Sequence, residues 1–242
     1  FRIPDMLANR ADIYNLGDII GDTADVFKLS YIENSLTSNT VLAKLAAKSQ
    51  KDIYTLLQLA ETGNSEGLEF EGNHSAAELN EYVLVLKKLL KIQDVILKVN
   101  LEYIRSAAQA DEYRTEPAFK LQGSYRNMNK LAEKVMPIMN DQELQTLILS
   151  HYEAESQTLT SGAEANMLKF KQLISIMTEA EAQRWEDIKA TFVRNNKLKG
   201  FGENNQVGQV LTEMENISGG LAGIKDVLSK FKPSRLETAE EI

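Results

Sequence analysis

Apolar residues recur at helical spacing along most of the chain. Ile53, Leu56, Leu57 and Ala60 fall at i, i+3, i+4 and i+7, the stripe of a helix buried on one side. Ser49 stands where that helix would be capped, and Asn39 or Thr40 stands before "VLAKLAAKS". The strongest pattern follows Ser75. Glu78 lies three residues on, as in a capping box, and Leu79, Val83, Leu86 and Leu90 form a stripe at alternating spacings of four and three. Gln93 and Asp94 interrupt it; Leu97, Leu101, Ile104 and Ala108 resume it in register. The spacing predicts one helix from Ala76 to about Ala110, roughly 50 Å long at 1.5 Å per residue. A helix of that length either kinks near the polar interruption or extends beyond the body of its domain.

Further helices are expected on both sides. "DIIGDTADVFKLSYIENSL" turns helical from Asp18. After a break at Pro117, Met128, Leu131, Ala132 and Val135 share one side of a short helix. Leu144, Leu147, Ile148 and Tyr152 form the next stripe, then Met167, Leu168, Phe170, Leu173, Ile174 and Met177, then Trp185, Ile188, Phe192 and Val193. "QVGQVLTEMENIS" and "LAGIKDVLSKF" are shorter and weaker. "GNSEGLEFEGNH", residues 63–74, is the most polar and glycine-rich stretch, a small hairpin or a loop. The fold class is therefore mostly α, and the break near Asn140 is the best place to divide it into two helical parts.

Composition narrows this picture. In 242 residues there are four prolines and thirteen glycines, too few for the many tight turns of an all-β chain. Cysteine is absent, which excludes disulfides, cysteine zinc sites and thiol nucleophiles and fits a reducing compartment; a cytoplasmic location is expected. No apolar run reaches the roughly 18 residues that span a bilayer, so no membrane partner is expected. The chain opens "FRIPDMLANR", without an initiator methionine or an apolar leader segment, and reads as a piece of something longer. The net charge of −8 lacks the basic footprint of a duplex binder. Only Lys120–Lys134 and Arg184–Lys199 offer locally basic stretches, so DNA is a weakly supported partner.

Chemistry-bearing patterns are sparse. The two histidines are His74, in the polar loop, and His151, one turn from Glu155. A histidine–glutamate pair is half a metal site at most, and no metal is expected. The carboxylate pairs Glu153/Glu155 and Glu179/Glu181 sit two apart and point to different helix faces, which gives no support for acid–base catalysis. No phosphate-binding GxxxxGK[ST], dinucleotide GxGxxG or nucleophile GxSxG pattern occurs. Two arginines remain. Arg10 lies in an opening loop, and Arg126 lies in the first turn of the helix that starts within "LQGSYRNMNKLAEKV". Cations suit helix C-termini, so a cation at the opposite end is either solvated or expects an anion.

The order "FRIPDMLANRAD", a helical stretch, then "GSYRNMNKL" resembles the back half of an AAA+ ATPase module, in particular the MoxR-like group and bacterial DNA-repair-ATPase-like proteins. In that group a P-x-x-x-x-D-R-F segment ends the nucleotide-binding core and supplies an arginine finger; Pro4 to Arg10 is similar, with Asn9 where aspartate is commoner. A helical lid follows, one helix of which opens with a glycine-small-x-arginine pattern, matched by Gly123, Ser124, Tyr125 and Arg126. The resemblance covers roughly residues 1–137. It implies that residues 1–28 end the core and link it onward, that 29–139 form a lid-like domain, and that 140–242 form a C-terminal helical domain without an assigned role. It also implies that Arg10 is a catalytic finger acting in trans within a homo-oligomer, and that Arg126 is the second-sensor residue binding nucleotide. ATP and Mg would then be held with an upstream AAA+ core of the same chain. The alternative is a helical protein-interaction module with no nucleotide contact.

Overall fold

A computed structural model describes residues 24–199, with side chains over 26–196, together with Met214, Ile217, residues 219–221, Ile224 and Lys225. Arg10 and the Pro4–Arg10 segment lie outside the described residues. The described part is mostly helical and contains no strand. Its helices are α1 (Ala24–Ser35), α2 (Thr40–Lys48), α3 (Gln50–Thr62), α4 (Ala76–Ala108), α5 (Tyr125–Ala132), α6 (Asp141–Gln157), α7 (Ala163–Leu173) and α8 (Glu179–Lys199). Residues 1–189 form one compact unit and residues 190–242 another.

Side-chain caps set the helix starts. Asn39 accepts from the N–H groups of Val41 and Leu42, Ser49 from Asp52, and Ser124 from Asn127. Ser75 with Glu78, and Asn140 with Glu143, close reciprocal capping boxes. Gly63 ends α3 in the left-handed region at φ 71°, where a glycine carries no Cβ penalty.

α4 is the axis of the first unit. Its 33 residues run unbroken, and α1, α2, α3, α5 and α7 all pack on it. This corrects the expected stripe in part. Of its residues Leu86 is fully buried and belongs to the face at the centre of the core, with Tyr82, Val85, Leu89, Ile92, Ile96 and Val99; Leu79, Val83, Leu90 and Leu97 sit at its flank, and Leu101 is exposed. A helix surrounded by neighbours is apolar on several faces, so more than one stripe satisfies the spacing. Gln93 is no interruption either. It is buried, and its amide donates to the carbonyl of Lys28 in α1.

The expected division at Asn140 falls inside this core: Leu144, Ile148 and Tyr152 of α6 and Phe170 of α7 join the same cluster as Tyr31, Leu56 and Ile92. The expected boundary at residue 28 falls inside α1. A smaller cluster, Ala165, Leu168 and Trp185, ties α7 to α8.

Buried polar groups stitch the helices together. Asn39, with no exposed surface, caps α2 through its oxygen and donates its amide to the carbonyls of Ala132 (2.8 Å) and Val135 (3.0 Å) at the end of α5. Lys88 is buried, and burial lowers its pKa. Its ammonium donates to the carbonyls of Leu84 (3.2 Å) and Pro137 (2.8 Å), holding the turn between α5 and α6.

Among the described glycines, Gly123 is the most closely approached. A Cβ there would lie 1.9 Å from the Ile96 carbonyl oxygen and 2.8 Å from the Asn100 nitrogen, both backbone atoms of α4. Gly123→Ala is therefore expected to cost at least about 2 kcal/mol through overpacking against atoms that cannot rotate away. Gly67→Ala, with nothing within 4 Å, costs only its left-handed backbone penalty of about 1 kcal/mol. Urea unfolding followed by circular dichroism, at unchanged m-value, measures the difference.

Candidate functional site

The mouth of α5 is built by the connection that precedes it. After α4 the chain runs without long helix to Ser124, and it is pinned at successive points. The Ser106 hydroxyl oxygen accepts from the backbone N–H of Phe119 (2.8 Å), and Arg114 donates to the Ser106 hydroxyl and carbonyl. Phe119 and Leu121 enter the core. Asn166 of α7, 3% exposed, accepts from the N–H of Lys120 (2.6 Å) and donates to the Ala118 carbonyl (3.4 Å). Gly123 then presses on α4.

Five further contacts hold the helix start. The Tyr31 hydroxyl donates to the Gly123 carbonyl (3.0 Å), and the Tyr31 and Tyr125 rings pack at 4.4 Å. The Tyr125 hydroxyl shares a hydrogen bond with Ser30 (2.5 Å). Asn127, buried, donates to the Gln122 carbonyl (2.8 Å). Tyr152 donates to the same carbonyl (3.4 Å), and burial raises its phenol pKa far above the usual range.

Arg126 stands on this platform. It is exposed and makes no ion pair or hydrogen bond among the described residues. It is the second residue of α5, whose first turn holds no acidic residue. The first turns of α3, α4, α6, α7 and α8 each hold one or two. A guanidinium in the first turn of a helix, at the positive end of its dipole, makes a region that favours anions. Arg126 and Arg10 cannot be related in space, because Arg10 is outside the described residues.

The other sequence candidates resolve differently. His74 is not a surface residue: its side chain is 1% exposed and its Nε2 lies 2.7 Å from Asp52 Oδ2, which is fully buried. Asp52 also accepts from the N–H groups of Glu71 (2.8 Å) and Gly72 (2.8 Å), so it fastens the 63–74 loop to α3. That loop forms no hairpin. Sequence reading missed this pair because Asp52 occupies a first-turn position that ordinarily faces solvent. The one available signal was the histidine in an otherwise acidic and glycine-rich loop.

His151 does not pair with Glu155, whose carboxylate accepts from Lys130 (2.9 Å). Burial lowers the His151 pKa against the opposing pull of Glu155. Among the described residues no group of three or more potential ligands could hold a metal, and no helix is long and apolar enough to cross a membrane. In the basic stretch, Arg184 is bidentate to Glu164 (2.7 and 2.9 Å) and Lys189 pairs with Glu186 (2.7 Å), so both charges are matched by carboxylates of the chain itself at the surface. A half-open groove of about 500 Å³ lies between α1, α3 and α4, with Lys28, Tyr54, Gln58 and Glu61 on its walls.

Comparison with protein-family models, curated proteins and solved structures finds no match.

Asp52 carries a pH prediction. Desolvation pushes its pKa up, but the N–H groups of Glu71 and Gly72 and the His74 ring outweigh it, and the net shift is downward. A carboxyl with a depressed folded pKa contributes stability that is present above its unfolded value of about 3.9 and is lost as pH falls through the lower folded value. Amide protection in the 63–74 loop, relative to the intrinsic exchange rate at each pH, is expected to fall below about pH 4 in the native chain. In Asp52→Asn it should already be low at neutral pH.

Proposed function

We propose that this chain is the C-terminal helical region of an AAA+-type ATPase, in which the mouth of α5 presents Arg126 to the phosphates of a bound nucleotide. The observation that carries the reading is an exposed, unpaired arginine in the first turn of a helix whose start is immobilised from several directions. Charge develops on the transferring phosphoryl oxygens during hydrolysis, and a permanently charged, planar donor meets it without reorganisation. The resemblance of "FRIPDMLANRAD" and "GSYRNMNKL" to the MoxR-like group supplies the rest. Arg10 would act in trans on a neighbouring subunit's nucleotide, ATP and Mg would be held with an upstream core, and a role in DNA repair would follow. The bundle would convert nucleotide state into movement through contacts that differ between the two states.

A second reading is a helical module that docks a protein partner. It is favoured by Met136 and Ile138, 52% and 86% exposed, in the turn between α5 and α6.

Titration with a non-hydrolysable ATP analogue, using the gene product that carries the nucleotide-binding core, separates the two. Arg126→Ala is expected to weaken binding roughly ten- to a hundredfold, the worth of one charge-assisted hydrogen bond, with Arg126→Lys recovering part of it. Unchanged affinity and turnover in Arg126→Ala would remove the nucleotide role and leave the docking module. The 242-residue chain alone is expected to hydrolyse no ATP.

A further inference from the structure

Between α4, α6 and the end of α7 the bundle leaves another cleft, of about 220 Å³. Its lining joins the buried Leu144 and Ile148 to the half-buried Val95, Ile174 and Ile176. An aliphatic cavity of about 150 Å³ already admits benzene, so this cleft has room for one large apolar side chain. Its α7 wall is set by Ser175, whose backbone is left-handed at φ 57°, a region that disfavours any residue with a Cβ. There the chain turns off α7, with the Ile176 N–H donating to the Lys171 carbonyl (3.0 Å), and the isoleucines on both sides of Ser175 line the cleft.

Charged groups mark one end of the cleft. Lys91 and Asp141, also in its lining, meet at 2.7 Å. One turn back along α4 is Lys88, whose buried ammonium donates to the Leu84 and Pro137 carbonyls and feels the same Asp141 carboxylate. Two ammonium groups therefore share one carboxylate, and one positive charge is left over. Glu143 does not offset it: it lies on another face of α6, where its carboxylate accepts from the Asn140 N–H in the capping box. Beyond Lys88 the surface turns apolar again. Leu84 is 36% exposed, and Met136 and Ile138 flank the Pro137 that Lys88 holds.

We propose that this strip, from Val95 back to Leu84, docks an acidic amphipathic helix of a partner protein. The partner sets one large apolar side chain into the cleft, a carboxylate against Lys88 and Lys91 about one turn on, and a second apolar side chain against Leu84, Met136 and Ile138 beyond. The strip covers about three turns of α4, the length over which a docked helix presents anchors at i, i+3 or i+4, and i+7. The surplus positive charge selects an acidic partner. The recessed cleft selects a protruding side chain, which a bilayer surface lacks. A small carboxylate filling the cleft would leave Met136 and Ile138 in water. A second copy meeting the strip about a two-fold axis would set these lysines against the same lysines. The inference rests on the docking reading of Met136 and Ile138, adds to it the cleft and the class of partner, and holds whether or not Arg126 meets a nucleotide.

The test presents the full chain to a displayed library of helical peptides about four turns long. Enriched sequences are expected to carry an acidic residue one turn from a leucine, isoleucine or aromatic anchor, and fluorescence anisotropy of one such synthetic peptide then measures its affinity. Ile176→Arg, which fills the cleft from its half-buried wall, and Lys91→Glu, which reverses the local charge, are each expected to weaken binding roughly tenfold or more at unchanged helical content. Lys91 is exposed, so its variant reads the site even where Ile176→Arg disturbs packing, and replacing the peptide's acidic residue by lysine should recover binding to Lys91→Glu. Binding that is lost in Ile138→Ser but indifferent to Ile176→Arg and Lys91→Glu leaves the docking reading standing and overturns the cleft. A library that enriches no acidic, anchor-bearing sequence overturns the proposal outright. Phosphatidylserine vesicles that bind the native chain but not Lys91→Glu, or a doubled mass in light scattering that Ile176→Arg abolishes, would make the occupant a lipid surface or a second copy and overturn it as well.

Discussion

The approach of Gly123 to the α4 backbone is the constraint on which the first unit's geometry depends. Two main chains meet there with no side chain between them, which only glycine allows. The contact fixes where the connection after α4 stops and therefore where α5 begins. It also leaves the Gly123 carbonyl oriented toward Tyr31, so α1 is drawn to the same point. α5 has eight residues, far below the length at which a helix persists by itself. Its existence rests on Met128, Leu131 and Ala132 in the core and on the neighbours that hold both its ends: Tyr31 and Ser30 at the start, Asn39 at the finish.

Buried polar groups do much of this placement, each by satisfying backbone groups that helix ends and connections leave over. Asn39 joins the end of α5 to the start of α2, Gln93 joins α4 to α1, Asn166 joins α7 to the chain entering α5, and Asp52 gathers the 63–74 loop. Apolar contacts bring the helices together without direction. These bonds choose the register in which they meet, because displacing any of them leaves a buried donor or acceptor unpaired.

The same division explains what could be read from sequence. Helix positions and caps were legible at Ser49, Ser75 and Asn39 because capping is local: side chain and backbone partner lie within three residues. The buried face of α4 was not, since which of its apolar stripes is central depends on neighbours far along the chain. Gln93 looked like a break because its partner, the Lys28 carbonyl, is 65 residues away. Asp52 and His74, 22 residues apart, were not connected with each other for the same reason. The candidate site was half legible. The pattern Gly123-Ser124-Tyr125-Arg126 showed a cation at a helix start, but the reasons it is held there, α4 on one side and Tyr31 on the other, are non-local.

Arg126 is the residue that the bundle's own energetics do not explain. An exposed cation in the first turn opposes the helix dipole at a cost of about 0.3–1 kcal/mol, and it gains no ion pair in return among the described residues. An acid or a neutral residue at that position would suit α5 better, as the first turns of α4 and α6 illustrate. The cost is tolerable because α5 is stabilised by tertiary packing rather than by its own termini. A rigid support and an unfavourable charge are opposite demands within one short helix. They are reconciled if the charge acts on something outside the bundle and the support exists to hold its position. The same reasoning does not extend to Arg184, which sits in an equally basic stretch but spends its guanidinium on Glu164.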